Sequence, residues 1–187
     1  MTFSSFSVAP QGVVLFDRDG TLVHDVPYNR DPALVAPVEG AARAVRRVRA
    51  AGFGVGVATN QGMIGDGRAT RAEVDAVNSR VDELIGPFDA WFVCPHGRDE
   101  GCDCRKPAPG LVLQAQRFFG VEADRVVLIG DIGSDVTAAE SAGSRGILVP
   151  TSATRAAEVD AASLVAPDLE AAVERALELL DAVEVAR

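Results

Sequence analysis

Acidic side chains follow two apolar stretches of the sequence, at the point where each stretch ends. Asp17 and Asp19 come after Val13–Phe16, and Asp131 comes after Arg125–Ile129. Two acids spaced two positions apart on an extended chain point to the same side of a sheet. One carboxylate can then attack as a nucleophile while the other transfers a proton. The alternative is that the Asp-x-Asp-Gly-Thr motif forms only a turn or a helix cap.

Charge repulsion predicts a metal ion where these acids meet. The carboxyl ends of parallel strands share one edge of a sheet, so Asp17, Asp19 and Asp131 are expected to converge there. Converging acids repel one another unless a cation neutralises them, and Mg²⁺ prefers oxygen ligands. Asp135 has a second explanation, because an acid is favourable in the first turn of a helix. The sequence therefore predicts a magnesium site and leaves the role of Asp135 open.

Lys106 is the single lysine of the chain, whose other basic residues are arginines. Its compact charge can approach a phosphate oxygen without the fork geometry of a guanidinium group. Chance in an arginine-rich protein is the alternative, although Arg105 beside it adds local positive charge. Thr59 and Asn60, after the second apolar stretch, offer a hydroxyl and an amide donor to a ligand, or form a cap or turn.

Three cysteines and one histidine fall within eleven consecutive residues. The spacing Cys94-x-His96-x5-Cys102-x-Cys104 is typical of a tetrahedral zinc site with three thiolates and one imidazole. A disulfide with a spare thiol is the alternative. Four protein ligands leave no open position, so this zinc would be structural. Because the last ligand adjoins the Arg-Lys pair, we expect the zinc to hold both cations towards the acidic strand ends.

Apolar runs alternate along the chain with stretches of helical periodicity. The predicted strands are Val13–Phe16, Phe53–Ala58, Ala90–Val93, Arg125–Ile129 and Gly146–Val149. The predicted helices span 40–51, 70–85, 109–119, 134–142 and 168–182. This alternation indicates an α/β fold with a doubly wound parallel sheet. The stretch 22–39 has no clear period and is predicted to be a long loop.

Composition limits the size and the partners of the protein. With 187 residues, the chain is expected to form one domain over 1–187. Its 18 basic and 27 acidic residues give a net charge of −9, which argues against a broad nucleic-acid or anionic-membrane surface. Neither a signal peptide in the first dozen residues nor a membrane-spanning apolar run is recognisable. We expect a cytoplasmic monomer whose partner is a small molecule.

These residues together suit phosphoryl transfer. Attack by a carboxylate on a phosphate dianion is opposed by charge, so Mg²⁺ and Lys106 must neutralise the phosphate oxygens. Asp17 would become an aspartyl phosphate, and Asp19 would protonate the departing alkoxide and then deprotonate the attacking water. The expected partner is a small phosphorylated substrate. An alternative from another class is a phospho-accepting signalling module, which also uses clustered acids, a threonine and a lysine.

In this order the motifs resemble those of the haloacid-dehalogenase (HAD) superfamily of phosphatases. The resemblance is carried by Asp17-Arg-Asp-Gly-Thr21, Thr59-Asn60, Lys106 and Gly130-Asp131-x3-Asp135. It implies a three-layer, Rossmann-like core with Asp17 as nucleophile and Asp19 as acid/base. It also implies that Mg²⁺ is bound by Asp17, the Asp19 carbonyl and Asp131.

The cysteine loop at 94–104 is similar to that of a capless HAD subgroup with a Cys-Pro-His…Cys-x-Cys-Arg-Lys-Pro segment. The similarity implies a structural zinc, no separate cap domain, and loops that enclose the substrate. Members of this subgroup act on heptose bisphosphates or on histidinol phosphate. The substrate contacts implied by the resemblance are Asp25, Tyr28, Thr59, Asn60, Gln61, Arg105 and Lys106.

Local sequence details bear on the choice between these two substrates. The run Asp25-Val-Pro-Tyr28, followed by Pro37-Val-Glu-Gly40, favours a sugar bisphosphate that loses its 7-phosphate. Histidinol phosphate is the alternative, because the segment between the second and third zinc ligands is short, as in histidinol phosphatases. Gly62 and Ile132 depart from the family pattern, which often has serine and a basic residue at these positions.

Overall fold

A five-stranded parallel sheet forms the centre of the protein in a computed structural model, which describes residues 10–185. The strands are β1 Val13–Phe16, β2 Gly54–Asn60, β3 Ala90–Cys94, β4 Val126–Gly130 and β5 Arg145–Leu148. Their order is β3-β2-β1-β4-β5, so the chain starts in the middle and winds outwards in both directions. The predicted doubly wound α/β fold is confirmed. The predicted lack of a signal peptide concerns mainly residues 1–9, which lie outside the described residues.

Six α-helices accompany the strands between residues 10 and 185. They are α1 Ala41–Ala50, α2 Arg71–Ile85, α3 Gly110–Phe119, α4 Gly133–Ser141, α5 Ala156–Ala161 and α6 Leu169–Val185. Short 3-10 turns occur at Pro32–Leu34 and Ala123–Arg125. Five of the helices match the predicted stretches to within a few residues. The sixth, α5, was not predicted: it has six residues and buries none of them, so its sequence carries no apolar period.

The side chains of β1 show why helices cover the sheet on both faces. Val14 and Phe16 pack in a core with residues of α1, α2 and α6. Val13 and Leu15 pack in a second core with residues of α3 and α4. All four side chains are fully buried. Because successive side chains of a strand point to opposite faces, an unbroken apolar run requires cover on both sides. The three-layer arrangement is as predicted.

Strand register brings the polar strand ends to one edge of the sheet. Phe16 pairs with Val57 of β2 and with Ile129 of β4. Asp17 donates its backbone N–H to the Ile129 carbonyl at 2.9 Å and then leaves the sheet. β2 continues to Asn60, two residues beyond its predicted end, and places its last side chains at the same edge.

The two ends of the long stretch 22–39 are hydrogen-bonded to each other at this edge of the sheet. The His24 N–H donates to the Ala36 carbonyl, and the Val38 N–H donates to the Leu22 carbonyl, both at 2.9 Å. The residues between these bonds form an excursion beside the carboxyl ends of the strands. Asp25 and Tyr28 are thereby carried to a cavity that Asp19 also lines.

No helix within residues 10–185 is long and apolar enough to cross a membrane. That the whole of 1–187 forms a single domain without a cap stays a prediction.

Candidate active site

The ammonium group of Lys106 lies between two carboxylates beneath the surface. Its Nζ is 2.8 Å from Asp17 Oδ1 and 2.6 Å from Asp135 Oδ1, and it donates to the Ala58 carbonyl at 2.7 Å. The residue is only 4% exposed. Burial alone would lower the pKa of Lys106, but the charges of Asp135 and Asp17 outweigh it and raise the pKa. Lys106 is therefore a stably charged cation with two carboxylates and one carbonyl within 2.8 Å of its Nζ.

Three buried acids surround this one cation. Carboxylate oxygens of Asp17, Asp131 and Asp135 lie within 4.8 Å of one another. Burial, together with the charge of Asp135, raises the pKa of Asp17 to about 7 although Lys106 acts in the opposite direction. Burial and Asp135 likewise raise the pKa of Asp131 to about 7. The cluster carries more negative charge than Lys106 neutralises, which is the condition under which a divalent cation binds.

The existing contacts of Asp135 identify which acids could hold that cation. Its Oδ1 faces Lys106, and its Oδ2 accepts the Ile132 N–H at 3.3 Å, so both oxygens are engaged. The residue is fully buried. Asp135 is thus a counter-ion of Lys106 as well as an acid in the first turn of α4. Asp17 and Asp131 keep oxygens available, and two carboxylates are a usual protein contribution to a Mg²⁺ site.

Two threonines after β5 hold Asp131 in place. Thr154 Oγ1 donates to the Asp131 carbonyl at 2.6 Å, and Thr151 Oγ1 lies 3.5 Å from Asp131 Oδ2. Neither threonine was predicted from the sequence. Thr151 does stand shortly after a strand at the acidic edge, which is the signal that could have indicated it.

Asp19 is held by neighbours of its own rather than by the acid cluster. Arg18 donates to its two oxygens at 3.0 and 2.8 Å, and Gln61 Nε2 donates to Oδ2 at 2.9 Å. Arg18 in turn donates to Asn78 Oδ1 of α2 at 2.7 Å. Because β1 ends at Phe16, the simple alternation of an extended strand does not fix the direction of Asp19. Its carboxylate lines the open cavity described below.

Asn60 braces the backbone of Lys106. Its Nδ2 donates to the Lys106 carbonyl and its Oδ1 accepts the Lys106 N–H, both at 3.0 Å. The amide side chain of Asn60, which was predicted to contact substrate, therefore has both its nitrogen and its oxygen hydrogen-bonded to Lys106. Thr59 is buried and accepts a hydrogen bond from Gln61 Nε2 at 2.9 Å. These residues fix the position of the cation and of Gln61.

The four ligand atoms of the cysteine loop lie close enough together to bind one metal ion. Cys104 Sγ lies 3.2 Å from both Cys94 Sγ and His96 Nδ1 and 3.6 Å from Cys102 Sγ. Cys94 Sγ lies 3.6 Å from His96 Nδ1 and 3.7 Å from Cys102 Sγ. Bonds of about 2.3 Å to zinc place tetrahedral sulfurs about 3.8 Å apart, so the donors fit that metal. All three cysteines are free thiols, which removes the disulfide alternative for this structure.

Arg105 differs from its predicted orientation. Its Nη1 donates to the His96 carbonyl at 3.1 Å, and none of its groups pairs with a carboxylate within residues 10–185. Only Lys106 of the basic pair faces the acidic strand ends. A Cβ at Gly62 would lie 2.7 Å from Arg105 Nη1, so the missing side chain at position 62 leaves room for the guanidinium group. The cysteine loop thus directs Arg105 along the wall of the cavity.

An open cavity of about 600 Å³ lies over the edge of the sheet. Six of the residues singled out in the sequence line it, namely Asp19, Asp25, Tyr28, Asn60, Gln61 and Arg105. Lys106 lines an adjoining cavity that shares Asn60, Arg98 and Arg105 with the first. The arrangement can therefore bind a polar anionic molecule with one end near Lys106 and Asp17.

Several known proteins with sequences similar to this chain are phosphatases. The D-glycero-beta-D-manno-heptose-1,7-bisphosphate 7-phosphatase of Pseudomonas aeruginosa is 34% identical over 146 residues, which cover 75% of this chain and 82% of that protein. The equivalent protein of Pseudomonas putida is 34% identical over 144 residues, with 74% and 82% covered. A HAD-hydrolase-like family model matches residues 103–172. The chain belongs to the HAD family of phosphatases.

The fold of this HAD phosphatase is similar to a crystal structure of D,D-heptose 1,7-bisphosphate phosphatase from B. bronchiseptica, complexed with magnesium and phosphate. The TM-score is 0.80 at 31% identity, and the match covers 89% of this chain and 98% of the other. The predicted family, fold class and phosphoric monoester hydrolase class are confirmed.

Replacing Gly20 tests whether the close approach of the first motif to Asp131 matters. Gly20 has φ +81°, and a Cβ there would lie 2.2 Å from Asp131 Oδ2. Gly20→Ala must displace that carboxylate, so phosphatase activity should fall by roughly 100-fold. Gly52→Ala is the matched control, because φ is +84° and nothing lies within 4 Å. Steady-state assays of both variants check this, and equal activities would contradict it.

Proposed function

We propose that this HAD phosphatase removes the 7-phosphate of D-glycero-D-manno-heptose 1,7-bisphosphate. The observation that carries the chemistry is the buried Lys106 ammonium between Asp17 and Asp135, next to the carboxylate of Asp131. The proposed substrate is the one named for the relatives from Pseudomonas aeruginosa and Pseudomonas putida.

Asp17 is the proposed nucleophile. A carboxylate oxygen of Asp17 forms a bond to phosphorus while the bond from phosphorus to the sugar oxygen breaks. Lys106, 2.8 Å from the Asp17 carboxylate, lies where it can also attract the oxygens of the transferred group. The buried and fixed position of the ammonium group means that little reorganisation is needed as charge moves.

Asp19 is the proposed acid and base. It donates a proton to the departing sugar oxygen, then takes a proton from the water that attacks the aspartyl phosphate. That second step releases inorganic phosphate and restores the Asp17 carboxylate. The contacts from Arg18 and Gln61 fix Asp19, which lines the open cavity through which a leaving group and water have access.

Mg²⁺ is the proposed cation of the acid cluster, with Asp17, Asp131 and the Asp19 carbonyl as protein ligands. The excess negative charge and the free oxygens of Asp17 and Asp131 support this choice. So does the magnesium in the similar B. bronchiseptica structure. When bound, Mg²⁺ neutralises charge on the phosphate and thereby favours attack by an anionic carboxylate.

Zinc is the proposed ion of Cys94, His96, Cys102 and Cys104. The donor set and the spacing of its atoms support this proposal. Burial and the sulfurs of Cys94 and Cys102 raise the pKa of Cys104 to about 12, so a cation is needed to hold the cluster as thiolates. The proposed role is structural, since it fixes the segment that leads directly into Arg105 and Lys106.

The guanidinium group of Arg105 favours a bisphosphate over histidinol phosphate. Arg105 lines the cavity without a carboxylate partner within residues 10–185. A second phosphate would be attracted to such a group, whereas the ammonium group of histidinol phosphate would be repelled. The curated relatives are phosphatases, which favours hydrolysis over a signalling module. The cytoplasmic location and the monomeric state stay predictions.

Asp17→Asn tests the role of the nucleophile. The variant keeps the side-chain volume but removes the attacking charge, so kcat should fall by roughly 10³-fold or more. Asp75→Asn is the control, because Asp75 lies on the exposed face of α2 and pairs with Arg71. Phosphate release from heptose 1,7-bisphosphate and from histidinol phosphate is the measurement.

Wild-type protein should show the higher kcat/KM on heptose bisphosphate. A strong preference for histidinol phosphate would replace the proposed substrate. A stable phosphoprotein without turnover would support the signalling module instead.

Mg²⁺ binding should weaken in acid. The pKa of Asp17 and that of Asp131 are each raised to about 7 by burial, so protons compete with the metal below neutral pH. Because the metal-free fold holds these protons up to about pH 7, its stability decreases as the pH rises towards that value. The increase of Tm caused by Mg²⁺ should therefore be larger at pH 8 than at pH 6. An equal or larger increase at pH 6 would be inconsistent with this site.

Cys102→Ser tests the structural zinc. Purified wild-type protein should contain about one zinc per chain, and the variant should contain less. Loss of the ion should lower Tm by several degrees and impair activity, while the Tm increase caused by Mg²⁺ remains. Metal analysis and thermal unfolding check these outcomes. Wild-type protein without zinc would overturn the proposal.

A further inference from the structure

Arg68 and Arg98 line the active-site cavity together with Arg105. Within residues 10–185 none of the three forms an ion pair, although six of the eight arginines of the helices do. The chain has a net charge of −9, so unpaired cations at one cavity are not a consequence of its composition. Guanidinium groups without carboxylate partners can bind an anionic ligand without first breaking an ion pair.

Arg68 is oriented by an aromatic ring. Its Cζ lies 4.7 Å from the centroid of the Tyr28 ring. Arg68 belongs to the segment after β2, and Tyr28 belongs to the excursion of 22–39, so the stack joins two loops across one end of the cavity. Stacking uses the flat face of the guanidinium group and leaves its N–H edge free. That edge has the fork geometry that binds a phosphate through two parallel hydrogen bonds.

The backbone of Tyr28 supports a binding role. Its φ of 56° lies in the left-handed region, which side chains other than glycine rarely adopt. Tyr28 is also 60% exposed, so burial of its ring does not compensate for this conformation. Backbone strain of this kind is concentrated at ligand-binding positions.

We infer that Arg68, oriented by Tyr28 and assisted by Arg98, binds the phosphate group that the reaction does not remove. The inference rests on the proposed function, since it requires a substrate with two phosphates. In such a substrate the carbon chain separates the two groups, so the second must bind away from Lys106 and Asp17. Arg68 meets this requirement, because it lines the first cavity and not the adjoining one that Lys106 lines, whereas Arg98 lines both.

The acids of the cavity agree with a sugar between the two phosphates. Asp25, Asp66 and Asp99 also line it. Carboxylates accept hydrogen bonds from hydroxyl groups, which a heptose offers along its whole length. A mixture of arginines and aspartates thus suits a polyhydroxylated molecule with anionic ends better than a fully cationic wall would.

Arg68→Gln tests the inference through its effect on kcat/KM for two substrates, one with and one without the second phosphate. The kcat/KM should fall by about tenfold to hundredfold on heptose 1,7-bisphosphate, which loses a charge-assisted contact. On heptose 7-phosphate, which lacks the second phosphate, it should change by less than about threefold. Tyr28→Leu should show the same selective loss to a smaller extent, and Tyr28→Phe, which keeps the ring, should retain wild-type selectivity. Arg71→Gln on the exposed face of α2 is the matched control.

Each outcome separates the inference from the proposed function. Equal losses on both substrates would mean that Arg68 has a structural role only, and no loss on the bisphosphate would mean that it binds no phosphate. Either result overturns the inference. The proposed function would still stand, provided that the wild-type protein hydrolyses the bisphosphate. Wild-type protein that hydrolyses neither heptose substrate would overturn both.

Discussion

The buried ammonium group of Lys106, held between the carboxylates of Asp17 and Asp135, is the interaction on which the rest of the site depends. A charge this deep is stable only when opposite charges and hydrogen bonds replace its hydration. Asp17, Asp135 and the Ala58 carbonyl supply them at 2.6–2.8 Å. With Asp131, the cluster contains three carboxylates and only one ammonium group. The negative charge that Lys106 does not neutralise favours a metal ion beside the proposed nucleophile.

Several parts of the fold serve to keep that ammonium group in place. Asn60 at the end of β2 holds both backbone polar groups of Lys106, and Arg105 is tied to the cysteine loop through the His96 carbonyl. The cysteine loop begins at Cys94, the last residue of β3, which pairs with Asn60 in the sheet. A metal ion bound to the cysteine loop would therefore restrict the motion of residues 94–104, which are attached to the sheet at Cys94. Cys104, the last proposed zinc ligand, is only two residues from Lys106, so the two sites are neighbours along the chain.

The sequence predicted the parts of the site whose residue types have few other uses. Acids directly after apolar strands, a single lysine and the Cys/His spacing all indicated chemistry, and the structure brings Asp17, Asp131 and Lys106 together. Roles that depend on contacts between distant segments were out of reach. Asn60 bonds to a residue 46 positions away, and asparagine after a strand is equally typical of a turn. The helix α5 was missed for a related reason, since it buries no side chain and so has no periodic signal.

The most direct measurement asks where the phosphoryl group is held during turnover. Rapid quenching with substrate, followed by borohydride reduction, converts an aspartyl phosphate to homoserine, which peptide mass spectrometry locates. The account predicts homoserine at position 17, formed only when substrate and Mg²⁺ are present and absent in Asp17→Asn. Modification at another carboxylate, or steady release of phosphate with no modified residue at position 17, would contradict the assignment of Asp17 as the nucleophile beside Lys106.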